Sequence, residues 1–309
     1  MANTKLYVLT GFLGAGKTTF LLNMLDKLSD KKVGVIQNEF GKINVDGQLI
    51  NRNGIQMKEI SRGSIFCSCL KLNFVEALTE MAKMDLDYVI VESSGLADPS
   101  NIEEILEAVE LEVENAYDFK GAICLVDAVN FLNQLSDEET VNRQLAHCHM
   151  AIINKVDLVD KEKLDSVTDA VKEVNPICKI LYSEKGQIDF DFLNQDLLEF
   201  KWAENEDSLN TAENKPKTIS LETDAVVSVD DLNKFLNQVL ESCYRIKGFF
   251  STDQGFKQVD VVENLIDYKD TNDREKSELV FLSKIGPQVI RIVDKAWKDT
   301  FDQPMKLKN

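Results

Sequence analysis

Long apolar runs are missing from this 309-residue sequence: no uncharged stretch approaches the ~18 residues that span a bilayer, so no transmembrane helix is expected. Histidine is almost absent, with His147 and His149 alone, which leaves no histidine-rich metal loop, and no Ser or Cys motif stands near these two to form a nucleophilic triad. The six cysteines, at 67, 69, 124, 148, 178 and 243, are too few and too scattered for a disulfide framework in a chain of this length, and they read as reduced thiols. Positive charge is in deficit. Lys and Arg number 35 against 53 Asp and Glu, a net charge of -18, and such a surface repels phosphate backbones and anionic headgroups, so neither nucleic acid nor membrane is expected as a partner. Residues 1–200 hold 33 of the acidic and 19 of the basic side chains, and thus most of the imbalance. The N-terminus runs from Lys5 through an apolar strand into a glycine loop ending at Lys17, unlike a signal peptide, and a cytoplasmic protein is expected.

Length over roughly 150 residues per domain suggests two domains. The first 200 residues alternate short apolar runs with amphipathic stretches, the pattern of βα units and a mostly parallel sheet flanked by helices. Strands are expected at Leu6 to Leu9, Val33 to Gln37, Tyr88 to Val91, Ala122 to Val126, Ala151 to Ile153 and Ile177 to Tyr182, with helices over Phe20 to Leu28, Asn73 to Met81 and Leu164 to Val174. Asp98 and Pro99 read as an N-cap and first helical position, ahead of Glu103 and Glu104 at the positive helix end. Residues 201–217 are polar and read as a linker. Beyond it, alternating strands with helices at Asp230 to Leu240 and Val289 to Trp297 suggest a smaller α+β domain over 218–309.

What the chain does have is Gly11-Phe12-Leu13-Gly14-Ala15-Gly16-Lys17-Thr18, a G-x-x-x-x-G-K-[ST] sequence placed between an apolar strand and an amphipathic helix. The glycines let backbone N–H groups of the loop, from Gly11 through Gly14, Ala15 and Gly16 to Thr19, approach phosphates; Lys17 reaches the terminal phosphate oxygens; the Thr18 hydroxyl ligates magnesium. Asn154-Lys155-Val156-Asp157 follows the apolar run Ala151-Ile152-Ile153, and a carboxylate there selects guanine by accepting from its N1 and exocyclic amine, a donor pair adenine lacks. Asn154 would position loop and base, and the Lys155 stem would cover the ring. Ser183-Glu184-Lys185 resembles the weaker fifth GTPase motif. Tyr88 to Val91 leads into Glu92-Ser93-Ser94-Gly95, where Glu92 can hold magnesium or its water shell and the Gly95 N–H can meet the γ-phosphate. His147-Cys148-His149 puts two imidazoles at spacing two, but directly ahead of a buried strand it reads as packing rather than ligation.

Together these residues resemble the CobW-type GTPases, relatives of the hydrogenase and urease nickel-insertion GTPases. The resemblance spans nearly the whole chain: the phosphate loop, Asn38-Glu39-Phe40-Gly41 with Asp46-Gly47, Glu92 to Pro99, Val126-Asp127-Ala128, Asn154 to Leu158, and Arg245-Ile246-Lys247-Gly248-Phe249. It implies a GTPase of low turnover that delivers zinc or cobalt to a client metalloenzyme or cofactor-dependent protein, with room for a homodimer. The family's Cys-x-Cys-Cys metal motif corresponds to Gly63 to Cys69, where Ser64 and Phe66 stand in place of the first two cysteines, Cys67 matches the third and Cys69 is additional; Lys42 stands where an acidic residue is often found. By analogy Glu39 joins Cys67 and Cys69 as a ligand of the transferable metal.

The expected activity is therefore hydrolysis of GTP to GDP and phosphate with magnesium held by Thr18 and Glu92, and catalysis by Lys17, Thr18, Glu92 and Gly95. Two other readings stay open. One is a GTP-switched chaperone or activator of a metal- or corrinoid-dependent enzyme without a transferable metal; the other is an ATP-dependent small-molecule kinase, which would make Asn154 to Asp157 coincidental.

Overall fold

In a computed structural model of the chain, the described residues are 4–39, 55–61, 64–67, 70–211, 215–272, 274 and 276–308. They divide into two compact units with the boundary between Lys215 and Pro216. In chain order the first holds β1 (Thr4–Thr10), α1 (Lys17–Lys27), β2 (Val33–Glu39), β3 (Ile55–Ser61), α2 (Lys71–Ala82), β4 (Tyr88–Glu92), α3 (Ile102–Glu110), β5 (Tyr117–Asp127), α4 (Phe131–Asp137), α5 (Glu139–Ala146), β6 (Met150–Asn154), α6 (Lys161–Val174) and β7 (Lys179–Ser183). Among the described residues these strands form one sheet in the order β3-β2-β4-β1-β5-β6-β7, parallel at every pairing.

Strand alternation distributes the core over both faces. Leu6 and Val8 of β1, with Val89 and Val91 of β4, pack among Phe74, Leu78, Ile105 and Val109 of α2 and α3. Tyr7, Leu9, Tyr88 and Ile90 point the other way, against Phe20, Leu21 and Met24 of α1 and against Phe190 and Phe192. A sheet buried on both faces places its loops, and any ligand, at the carboxyl ends of its strands.

The second unit holds β8 (Thr218–Thr223), α7 (Val229–Val239), β9 (Cys243–Thr252), β10 (Gly255–Val262), β11 (Leu265–Asp270), β12 (Ser277–Ser283), α8 (Val289–Thr300) and β13 (Lys306–Lys308). Its sheet is antiparallel, in the order β11-β10-β9-β12-β8-β13. Its core joins Phe235 of α7 and Trp297 of α8 to Phe250 and Phe281 of the sheet. No helix among the described residues is long and apolar enough to cross a membrane.

Several local expectations are corrected. Strand β3 was not foreseen, because Ile55-Gln56-Met57-Lys58-Glu59-Ile60 mixes charge into its alternation, as suits the edge position it occupies. Ile177 lies outside β7, which begins at Lys179. Asp98 does not cap α3, whose N-cap is Asn101. Instead Asp98 accepts from Ser100 N at 3.1 Å in an Asx turn, and its fully buried carboxylate accepts from Arg143 Nε at 2.9 Å and Leu209 N at 2.6 Å.

These bonds also change the picture of residues 203–211, expected as a free linker. Asn210 Oδ1 accepts from Asp98 N at 2.7 Å, Ser208 Oγ donates to Asp98 O at 3.0 Å, Glu206 N donates to Ser100 O at 3.1 Å, and Arg143 donates to the Glu206 carboxylate at 2.8 Å. The segment is a strap bound to the first unit. Asp98→Ala should remove the strap's anchor and leave Arg143 without its buried acceptor, a loss on the order of 3 kcal/mol. Urea unfolding should register the loss, and limited proteolysis should find a new cleavage within 203–211; a variant as stable and as resistant as the wild type would refute the anchor.

Candidate nucleotide site

Helix α1 starts from Gly16, which sits at φ 99° and offers no side-chain cap, and the first turn carries no acidic residue. Side-chain caps occur at α6, by Asp160 accepting from Lys163 N at 2.9 Å, and at α7, by Ser228 accepting from Asp231 N at 3.0 Å, whereas among the described residues α2, α3, α4, α5 and α8 lack one as α1 does; what sets α1 apart is the glycine loop that leads into it. Leaving the N-terminal N–H groups of α1 uncapped keeps them available for an anion at the positive helix end. A Cβ at residue 16 would lie 2.4 Å from Asn154 Nδ2, so glycine is required by backbone conformation and by space.

That Asn154 contact is part of a wider tie. Its Nδ2 donates to Ala15 O at 2.9 Å, while its Oδ1 accepts from Ser183 Oγ at 2.8 Å and Gly186 N at 3.0 Å. One buried amide thus joins the phosphate loop, the end of β6 and the loop after β7. Ser183, expected to touch nucleotide, spends its hydroxyl on Asn154 and is 2% exposed. Lys155 has a left-handed φ of 64°, and its Nζ meets Asp127 Oδ2 at 2.8 Å. Asp127 also accepts from Val129 N at 3.0 Å and Asn130 Nδ2 at 3.1 Å, which fixes the acceptor that aims the lysine. Asp157 lies exposed on the following 3-10 turn, Val156–Leu158.

On the other side of the loop, Lys17 is buried and its Nζ donates to Gly11 O at 2.8 Å and Phe12 O at 3.0 Å, folding the ammonium over the loop. Thr18 Oγ1 donates to Glu92 Oε1 at 2.6 Å, and Gln37 Nε2 donates to Glu92 Oε2 at 2.9 Å. Gln37 was missed by sequence reasoning. Its signal was positional: in the parallel register Gln37 of β2 lies beside Glu92 of β4. Among the described residues neither Gln37 Oε1 nor Ser94 Oγ, both buried, has a hydrogen-bond partner. An amide oxygen beside a buried carboxylate and a hydroxyl fits a hard, hydrated cation such as magnesium.

Gly95 packs directly on the phosphate loop; a Cβ there would meet Leu13 N at 2.6 Å. Gln144 of α5 holds its backbone, with Nε2 donating to Gly95 O at 3.1 Å and Ala97 O at 2.8 Å. This residue too escaped the sequence reading, since one glutamine on an amphipathic helix carries no motif.

Of the expected transferable-metal set, Cys67 is described and 2% exposed, in the turn preceding α2. Cys69 and the Glu39 side chain lie outside the described residues. Among the described residues no group of three His, Cys, Asp or Glu side chains is arranged to hold a metal ion.

Comparison with known proteins places the chain in a family. Residues 5–182 match the nucleotide-binding domain of the CobW/HypB/UreG family. The chain belongs to that family. Its members are GTPases, and this chain is one by membership. It is 30% identical over 252 residues to the zinc chaperone YjiA of Escherichia coli, covering 77% of this chain and 78% of YjiA. Against the zinc-regulated GTPase metalloprotein activator 1 of Dictyostelium discoideum the identity is 29% over 63% of this chain and 49% of that protein, so the chain spans only about half of this relative. A crystal structure of a zinc-bound triple mutant of YjiA superposes with a TM-score of 0.50 at 24% identity, covering 97% of this chain and 99% of that one, a likeness of fold.

Of the two histidines, His149 packs in the interior, while His147 is half-buried with its Nε2 3.9 Å from the Glu206 carboxylate. His149 is buried, its Nδ1 accepts from Ala122 N at 3.0 Å, and its ring meets Phe119 edge-on. Burial pushes its pKa down from 6.5 to about 4. Because the folded pKa lies below the unfolded one, the unfolded chain binds the extra proton; stability is full above about pH 6.5 and declines as pH falls toward 4, by roughly 3 kcal/mol in all. His149→Asn, whose Oδ1 can accept from Ala122 N, should flatten that slope in urea titrations at pH 7 and pH 5. An unchanged slope would place the acid sensitivity elsewhere.

Proposed function

We propose that this member of the family binds guanine nucleotide between the phosphate loop and Asn154 to Asp157, hydrolyses GTP with magnesium, and couples its nucleotide state to transfer of zinc or cobalt to a client protein. The observation that carries the reading is the convergence of Lys17, Thr18, Glu92 and Gln37 beside an uncapped helix whose loop is tied to Asn154. Lys17 and the loop amides stabilise charge on the transferring phosphoryl group. Thr18 and Glu92 would hold magnesium, which supplies charge neutralisation between the terminal phosphates. Gly95, fixed by Gln144, presents its N–H toward the γ-phosphate position. Asp157 discriminates guanine from adenine, and the Lys155 stem, aimed by Asp127, covers the base.

Support for a metal cargo comes from relatives named as zinc chaperones and from Cys67. Glu39, Cys67 and Cys69 are the residues proposed to hold it, in a cytoplasmic protein that acts on a client metalloenzyme or cofactor-dependent protein. Separate folding of residues 1–200 and 218–309 belongs to the same proposal. A GTP-switched activator without cargo is favoured instead by the burial of Cys67.

Wild type should bind GTP far above ATP, with Asp157→Asn moving preference toward xanthine, whose carbonyl pairs with the new amide. Lys17→Ala should lower turnover by roughly 100-fold or more while the protein stays folded. Equal affinity for GTP and ATP would defeat the guanine assignment. For the cargo, zinc titrated against the GDP form and the form with a non-hydrolysable GTP analogue should give affinities differing by about 5- to 150-fold, and Cys67→Ser with Cys69→Ser should abolish tight binding. Thiolates being the binding form, uptake should weaken as pH falls. Identical affinities in both states would leave the activator reading.

A further inference from the structure

Asn38 stands next to Gln37 on β2 but faces away from the magnesium ligands. Its side chain is 4% exposed and engages three segments: Nδ2 donates to Ile60 O at 3.0 Å, and Oδ1 accepts from both Ile65 N at 3.1 Å and Ser94 N at 3.3 Å. Ile60 is on β3. Ile65 opens the turn carrying Cys67, closed by Cys67 N donating to Ser64 O at 3.0 Å and continued into α2 by Leu70 N and Lys71 N donating to Cys67 O at 2.9 and 3.0 Å. Ser94 precedes Gly95, whose N–H is placed for the γ-phosphate. A second amide makes a parallel connection: Asn101 Nδ2, at the far end of the same loop, donates to Phe66 O at 3.3 Å.

Sheet order explains why side chains must do this. Strand β2 lies between β3 and β4, so the segments that follow β3 and β4 share no ladder, and side chains bridge them, Asn38 from the strand between and Asn101 from the second segment itself. The Oδ1 atom of Asn38 bridges them with a single acceptor. Both N–H groups are buried with it, and leaving either unpaired is costly, so displacement of one favours displacement of the other.

We propose that Asn38 is the positioning residue through which movement of the Ser94–Gly95 loop on exchange of GDP for GTP is passed to the Cys67 turn, with Asn101 as the second tie. The proposal rests on the nucleotide-coupled reading above and names the side chain that would carry the coupling. It touches neither nucleotide nor cargo. It predicts that the turn senses nucleotide whether or not a metal is present.

The test is amide hydrogen exchange by mass spectrometry on the full chain with magnesium and either GDP or a non-hydrolysable GTP analogue, without zinc. In wild type, peptides covering 93–97 and 64–67 should both change exchange rate between the two states, by about fivefold or more. Asn38→Ala should keep the 93–97 response and lose most of the response at 64–67, with GDP affinity within about threefold of wild type; a general loss of structure would move both peptides and both affinities together. Asn38→Asp keeps an oxygen able to accept from Ile65 N and Ser94 N, and should restore the 64–67 response, while Asn101→Ala should reduce it. If Asn38→Ala fails to fold, the last two variants decide. A wild type whose 64–67 peptide ignores nucleotide, an Asn38→Ala protein that responds like wild type, or an Asn38→Asp protein as defective as Asn38→Ala overturns the proposal. Zinc titration of the same proteins separates the two readings: no zinc binding in a wild type whose 64–67 peptide responds removes the cargo and leaves the relay standing, whereas zinc binding with an unresponsive turn does the reverse.

Discussion

Segments that leave the carboxyl ends of a parallel sheet have no ladder to hold them, yet a nucleotide site requires several of them to stay in register to within a fraction of an ångström. In the first unit that constraint is met by buried side-chain amides. Asn154 joins the phosphate loop to the loop after β7, Asn38 joins the segments after β3 and β4, and Gln144 holds the backbone on both sides of Leu96. A carboxamide suits the task because it donates and accepts in one plane without carrying charge into the interior, where an unpaired ion would be far more expensive. Once such a group is buried its bonds cannot be exchanged for water, so each tie is specific as well as strong.

The carboxylates near the site divide according to the partners they are seen to engage. Asp127 faces Lys155 and Asp98 faces Arg143, and both are almost wholly enclosed. Glu92 accepts from the Thr18 hydroxyl at the start of α1 and from the Gln37 amide of β2. An enclosed carboxylate that shares a hydrogen bond with the first hydroxyl of α1 stands where a small cation of high charge density would be held beside phosphates, which is the reason the proposed magnesium role falls on Glu92 and structural roles on the other two.

How much of this was legible in the sequence follows from the kind of signal each residue gives. The phosphate loop was readable because glycine spacing, lysine and hydroxyl must occur in fixed order on one strand–loop–helix unit, and Asn154 to Asp157 likewise form a continuous string. Glu92 and Gly95 were readable from a strand that ends in acid and turns. Gln37 and Gln144 were not, since each acts on a segment distant in sequence and looks, in one dimension, like any polar residue on a strand or helix. Asn38 was visible only as part of a family string, without a hint that its amide spans three segments. Asp98 misled for a related reason: the Asx turn it forms uses the same residue types as a helix cap, and the helix starts one short turn later.

Asp98 also shows that the loop after Glu92 is held from two directions. On one side Asn38 and Asn101 connect it to the turn of Cys67; on the other, Asp98 connects it through Leu209 and Asn210 to the strap that precedes the unit boundary. The loop between Ser94 and Asn101 is therefore the point where three functions meet: contact with the phosphate loop through Gly95, the path toward the thiol, and the anchor of the chain leaving the first unit. A motion confined to Gly95 would have to break or carry along hydrogen bonds at both ends of an eight-residue stretch in which Asp98 is fully buried. Carrying them along is the less costly course, because the Ser94 and Asn101 donors, and the buried Asp98 carboxylate, would otherwise be left unpaired away from water. A short, buried, doubly anchored loop of this kind moves as a unit or not at all, and that property is what a nucleotide switch needs in order to report one phosphate at two places.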